Sequence, residues 1–207
     1  MQRTCLILTL ALAASSAAAD RTELDVTFDG DGRDDFSVPN RQLNVLAHLP
    51  RSDGGSIAVI NDHGIQGGNQ STDDLIYLAK YSAAGGHENA PLVIGAAFSV
   101  VGAATIDSQN RVVIVGTINI DTNNVSDFRV IRVLPNGQRD TSFSGDGILD
   151  IDFALGGNHA DHALGVTVDA QDRIVVVGEV ERPRHRRLRL RHCKDHDRRS
   201  AGCQFRS

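Results

Sequence analysis

The sequence predicts an all-β fold, a partial β-propeller of about three four-stranded blades that do not close into a ring. Three observations predict it. Segments recur at long intervals, the apolar runs are short and β-branched, and nothing beyond the first 19 residues keeps a 3.6-residue apolar period. The recurrence is plainest where Thr105 to Gly116 reads TIDSQNRVVIVG and Thr167 to Gly178 reads TVDAQDRIVVVG. The differences are only Ile for Val, Ser for Ala and Asn for Asp. Leu24 to Gly32 (LDVTFDGDG) matches Arg139 to Gly147 (RDTSFSGDG), and Asp74 to Gly85 (DLIYLAKYSAAG) matches Asp127 to Gly137 (DFRVIRVLPNG). The spacing varies around a period of about 57 residues, so constant elements are joined by loops of unequal length.

Each period holds about four strand signals. In the clearest copy these are Gly102 to Ile106, Arg111 to Thr117, Asp127 to Leu134 and Ile148 to Phe153. Turn chemistry separates them: Asp107-Ser108-Gln109-Asn110, Pro135-Asn136-Gly137 and Ser144-Gly145-Asp146-Gly147. Val112 to Val115 and Ile174 to Val177 are unbroken β-branched runs, suited to strands buried on both faces and too short for helices. Four short strands per unit, stacked face to face, is the geometry of a propeller blade. One such sheet cannot bury both faces alone, so the array is the unit of stability. A β-sandwich would also use about a dozen short strands, but its strands have no reason to recur at one period.

The two ends of the chain differ from this middle. Residues 1–19 read as a secretory signal peptide: Arg3 is the positive start, Cys5 to Ala14 the apolar stretch, and Ala17-Ala18-Ala19 the small-residue cleavage site before Asp20. The apolar stretch is too short to span a bilayer, so no transmembrane segment is expected and the mature chain is placed in the periplasm or outside the cell. Residues 181–207 carry 10 Lys+Arg against 3 Asp+Glu, whereas the whole chain carries 21 against 26. This basic tail is expected to be an out-of-frame stretch without ordered structure. Arg184 to Arg191, shifted by one base, can encode the strand that the repeat calls for there. The acidic body excludes nucleic acid as its partner.

The run from Asp127-Phe128 to Pro135-Asn136-Gly137, then Asp140 to Gly147 (DTSFSGDG), then Val168 to Gly178 (VDAQDRIVVVG), resembles the delta-60 repeat. That family has the pattern DDFALARYNxDGxLDTSFGxGG followed by a strand and QPDGKIVVAG. The resemblance covers residues 24–180, except around Gly86 to Phe98 where the DTSFGxGG element is not recognisable. It implies a β-propeller of the kind found in large bacterial exported proteins, and it brings no catalytic residues. At most three units fit, while closed propellers use four to eight blades. The chain is therefore expected to be a fragment of a longer propeller, or to self-associate through open blade faces.

Candidate chemistry is sparse. Asp29, Asp31 and Asp35, spaced by Gly30 and Gly32, form the best metal candidate, since closely spaced carboxylates with Gly at the bends can wrap Ca²⁺. The stretch FDGDGRDDF also resembles an FG-GAP repeat, although Thr27 stands where that pattern has an acid. A β-turn is the plainer role for this segment. His159, Asp161 and His162 read as a polar loop and Asp62-His63-Gly64 as a loop beside a strand, while His87-Glu88 lacks the second His that a zinc-protease motif needs. His192, Cys193, His196 and Cys203 mix zinc-ligand types at a spacing that fits no standard finger. No nucleophile stands beside a base, so no catalytic residue and no cofactor beyond possible Ca²⁺ is expected. The leading expectation is an exported non-enzymatic scaffold that binds protein or glycan through loops such as Asn61 to Thr72 and Asn119 to Ser126. The alternatives are a calcium-stabilised adhesion module and part of a propeller hydrolase or lyase.

Overall fold

The computed structural model describes residues 6–7, 34–35, 37–39, 41–66, 69–70, 75–89, 91–95, 98–119, 125–153, 160–180 and 187–192. Every regular element among them is a strand, and no helix is long and apolar enough to cross a membrane. A two-residue ladder joins β1 (Leu6–Ile7) to β2 (Asp34–Asp35). The first blade follows: β3 (Arg41–Pro50), β4 (Ser56–Gln66), the short β5 (Asn69–Gln70) that pairs only with β4, β6 (Leu75–Tyr81) and β7 (Leu92–Ile94). The second blade is β8 (Val100–Ile106), β9 (Val112–Asn119), β10 (Ser126–Val133) and β11 (Ile148–Ile151). The third is β12 (Asp161–Val168), β13 (Ile174–Val180) and β14 (Arg187–His192). Each blade is an antiparallel meander in chain order, and none closes into a barrel. The molecule is thus all-β, a partial propeller. The strands of the second blade fall within a few residues of the sequence expectation.

The third blade brings one correction. Six residues of the basic tail, expected to carry no ordered structure, form β14 and pair with β13 from Val175–His192 to Val180–Arg187. The physical reason is the alternation Arg-Leu-Arg-Leu-Arg-His, a two-residue period that suits an edge strand whatever its origin. The third blade shows three strands, not the four expected, among the described residues.

Alternation along the strands sorts the core into layers. Ile57, Val59, Ile76 and Leu78 leave the front of the first blade and meet Val112, Ile114, Ile131 and Val133 on the back of the second. Val113, Val115, Phe128 and Val130 leave the front of the second blade and meet Ile174, Val176 and Val180 on the back of the third. A further layer, Leu43, Ala58, Ile60, Tyr77, Ala79 and Tyr81, is buried on the back of the first blade, with Val38 and Leu75 packed against it. Each fully buried Val or Ile contributes about 1.5–3 kcal/mol. The layers between blades are therefore what hold the array together.

The first strands of successive blades run beside one another, β3 against β8 and β8 against β12. Each carries one bulge five residues before the first residue of its turn, between Val45 and Ala47, Val101 and Ala103, and Ala163 and Gly165. In the second blade the bulged residue is Gly102, where a Cβ would run into the Ala163 carbonyl of the third blade. Only glycine lets the two backbones come that close.

Candidate functional site

The sheets have two unlike ends. At one, the first and second strands of every blade are joined by the same five-residue turn: Arg51 to Gly55, Asp107 to Arg111 and Asp169 to Arg173. In each, the first N–H donates to the last carbonyl and the fourth N–H donates to the first carbonyl. The fourth residue takes a positive φ: Gly54 at 86°, Asn110 at 58° and Asp172 at 55°. Gly, Asn and Asp are the residues that tolerate this conformation. In the two later copies the opening Asp binds the turn itself. Asp107 Oδ1 accepts from the Gln109 and Arg111 N–H groups at 3.0 and 2.9 Å, and Asp169 Oδ1 accepts from those of Gln171 and Arg173 at 2.9 Å each.

The same turns tie the blades together. Ser52 donates its N–H to Asn110 Oδ1 at 3.1 Å, and Asn110 Nδ2 donates back to Ser52 Oγ at 3.0 Å. One blade along, Ser108 donates its N–H and hydroxyl to Asp172 at 3.0 and 2.5 Å. The second turn residue of one blade therefore holds the fourth turn residue of the next. These bonds pull the Asp172 carboxyl below its ordinary value. Ala170 stands at the second position in the third blade, where no hydroxyl exists.

Beneath these turns the second blade buries an ionic chain. Arg132, fully buried, donates to Asp140 Oδ2 at 2.8 Å and to Ser142 Oγ at 3.0 Å, with its guanidinium 4.8 Å from the centre of the Phe143 ring. Asp140 lies 3.6 Å from Arg111, whose Nε donates to Asp107 Oδ2 at 2.5 Å. Burial pushes the Asp140 carboxyl up. Hydrogen bonds from the Ser142 hydroxyl and N–H, with Arg132 beside it, outweigh that and hold it below the ordinary value. This chain pins the turn after β10 to the turn before β9, which makes it structural.

The other end holds a different constellation. Asp127 at the start of β10, Asp152 just past β11 and Asp161 opening β12 bring one carboxylate oxygen each to within 4.8 Å of one another. Asp161 is buried. Its Oδ2 accepts from the Phe153 N–H at 3.2 Å, and its carbonyl accepts from the Ser126 hydroxyl at 3.2 Å. These bonds fix the cluster at the seam between the second and third blades. Three oxygen donors are part of the six to eight that Ca²⁺ takes. On the first blade, Tyr77 donates its hydroxyl to buried Asp62 Oδ2 at 3.3 Å, and Asn61 to Gln66, expected from the sequence to lie in a loop, belong instead to β4, where Asn61 to Gly64 pair with β3.

The sequence candidates fare unevenly. Asp29 and Asp31 lie outside the described residues, and Asp35 is described only as backbone in β2. His159, His196 and both tail cysteines also lie outside. Asp161 proves to be a buried seam residue, while His162 beside it is exposed. Glu88 pairs with Arg51 at 2.7 Å, and the His87 ring centre lies 4.7 Å from that of Tyr81. Asp127 and Asp152 were not singled out in the sequence, because their neighbours there are ordinary strand residues. The one available signal was Asp127 opening a strand that recurs.

Comparison with known families bears on the second blade. A family model described as a domain of unknown function, DUF5122 beta-propeller, matches residues 108–143, from the first turn of that blade through β9, β10 and the following turn. The curated proteins give no match. The segment is similar to a β-propeller repeat, in agreement with the sheet architecture.

Proposed function

We propose that this chain is an exported, non-enzymatic scaffold of delta-60-type blades that binds a protein or glycan partner at the end opposite the five-residue turns. The contrast between the two ends carries the reading. At the turn end, the loop joining first and second strands has one length and one hydrogen-bond pattern in all three blades. At the other end the second and third strands are separated by eight residues in the first blade, 67–74, which include β5, and by six in the second and third, 120–125 and 181–186. A constant end joined to a variable one is how scaffolds present recognition loops. The turn-end ion pairs Arg132–Asp140 and Arg111–Asp107 brace turns and lie away from the variable loops.

The test is an array screen of the full chain against glycans and exported proteins. Hits are then retested after residues 120–124 are replaced by a Gly-Ser linker of equal length. Binding that disappears while the melting curve is kept supports the reading. Binding that survives replacement of both variable loops overturns the site, and turnover of a hydrolase or lyase substrate overturns the non-enzymatic assignment.

A second reading, calcium stabilisation, is favoured by the Asp127, Asp152 and Asp161 carboxylates. A cation held there joins the second blade to the third, and at a concentration 100 times its Kd it stabilises by about 2.7 kcal/mol. A calcium-dependent rise in Tm that Asp152→Asn removes supports this reading. A rise that survives Asp152→Asn points instead to Asp29, Asp31 and Asp35.

A further inference from the structure

Asn136-Gly137 is the only Asn-Gly pair of the sequence, and it lies in the first turn after β10. This turn, Leu134 to Gln138, has the same five-residue hydrogen-bond pattern as the turns between first and second strands, and so does Ser82 to Gly86 in the first blade. The fourth residue is glycine in both, with φ of 88° at Gly85 and 86° at Gly137. The residue before it differs: Ala84 in the first blade, Asn136 in the second. Asn136 is exposed, and its side chain is held inside the turn. Oδ1 accepts from the Gln138 N–H at 3.0 Å, and Nδ2 donates to Gln138 Oε1 at 3.2 Å. The Gly137 N–H donates to the Leu134 carbonyl at 2.8 Å. The first blade closes over the turn: a Cβ at Gly137 would run into Leu92, and Lys80 donates to the Pro135 carbonyl.

An asparagine followed by glycine is open to attack on its side-chain amide by the next backbone nitrogen, because glycine has no side chain to obstruct the approach. The Gly137 nitrogen gives up its proton and bonds to Asn136 Cγ. The Cγ–Nδ2 bond breaks, and Nδ2 leaves with that proton as ammonia. Water then opens the succinimide ring at either carbonyl, giving aspartate or isoaspartate. In the closed turn both partners of the first step are occupied, the Gly137 proton by the Leu134 carbonyl and the Asn136 amide by Gln138. Reaction therefore requires the turn to open, and the Leu92 and Lys80 contacts across the first seam oppose opening. We infer that Asn136 is a deamidation site gated by the seam between the first and second blades. Isoaspartate carries the main chain through the side-chain carbon and lengthens it by one atom. The five-residue turn then no longer closes, and Gly137 is drawn away from Leu92. A modification admitted by a loosened seam keeps the seam loose.

Peptide-mapping mass spectrometry of the full chain, aged in mildly alkaline buffer with and without urea, tests this. In urea, Asn136 is expected to convert faster than any other asparagine. In the folded chain it is expected to convert at least about tenfold more slowly, in proportion to the population of the opened turn. Gln138→Ala, at an exposed position, releases Nδ2, and Leu92→Ala removes the seam contact. Each is expected to raise the folded rate at least about twofold and to leave the rate in urea unchanged. Should Leu92→Ala unfold the chain, Lys80→Ala serves in its place. The isoaspartate-bearing chain is expected to melt below the fresh one, and Asn136→Ala, which copies Ala84, is expected to abolish that loss on ageing. Equal rates in the folded and urea-unfolded chains overturn the gating, as does a folded rate that neither Gln138→Ala nor the seam variant raises. A faster asparagine elsewhere in urea overturns the site, and a melting point indifferent to isoaspartate overturns its effect on the seam.

Discussion

β9 and β13 are nearly the same strand in different company. Val112 to Val115 and Ile174 to Val177 are β-branched throughout, and both sit one residue past a turn of the form Asp-x-Gln-x-Arg. In β9 all four are buried. In β13 Ile174 and Val176 are buried, while Val175 and Val177 remain partly open. The ionic turns follow the same division. The side chains of Arg111 and Asp107 are 13% and 2% exposed, those of Arg173 and Asp169 36% and 24%. A β-branched run thus states what a strand is able to bury, and the blade on either side decides how much of that is realised.

The sharpest way to test this contrast is to remove the buried carboxylate of the second blade. Asp140→Ala leaves the Arg132 guanidinium buried without its ion-pair partner, and the expected loss is about 3–5 kcal/mol in urea unfolding. Arg173, at the more open turn of the third blade, stays in contact with water, so Asp169→Ala is expected to lower Tm by clearly less. Equal losses would break the comparison.

Next in size is the pair of front faces. Val113→Ala and Val115→Ala are each expected to cost about 2 kcal/mol, from lost burial and the cavity left behind. Val175→Ala and Val177→Ala, measured at dilute concentration, are expected to cost under about 1 kcal/mol. The seam clasp comes third. Ser108→Ala removes a charge-assisted bond to Asp172 and is expected to cost about 1 kcal/mol. Ala170→Ser, which adds the hydroxyl where no further turn residue receives it among the described residues, is expected to leave Tm unchanged.

The smallest expected effect is in the pH profile. Asp140 and Asp172 are both held below the ordinary value of 3.8. Their contribution is therefore complete above about pH 5 and is lost as the pH falls through and below 3.8. Asp172→Asn keeps a hydrogen-bond acceptor for Ser108 and removes the titration, so it is expected to make the acid limb shallower. A steeper limb in that variant would count against the assignment.

Much of the fold was legible because it rests on short-range pattern. The runs Val112 to Val115 and Ile174 to Val177 announced strands, and Asp107 to Asn110 and Pro135 to Gly137 announced turns at the places where turns occur. What was not legible depends on residues a whole blade apart. Ser52 and Asn110 are an ordinary turn serine and an ordinary turn asparagine until the second blade lands on the first. Asp127, Asp152 and Asp161 are neighbours only because β10, β11 and β12 converge at one seam. Asp29, Asp31 and Asp35 are close together in the chain, which is the one property the Asp127–Asp152–Asp161 group lacks. β14 was missed for the opposite reason, its charge composition having outweighed its two-residue alternation.

The serine-to-asparagine and serine-to-aspartate ties have a consequence for how such chains lengthen. Donor and acceptor sit at fixed places in consecutive copies, so the second unit carries an acceptor, Asn110, toward the first and a donor, Ser108, toward the third, whereas Gly54 and Ala170 leave the outer units with one half each. Duplication or loss of the complete second unit leaves all surviving fastenings matched, whereas loss of part of it strands both halves. Gene events that copy whole units are thus structurally silent at the joints, and an array of this design can change its number of members without redesigning any one of them.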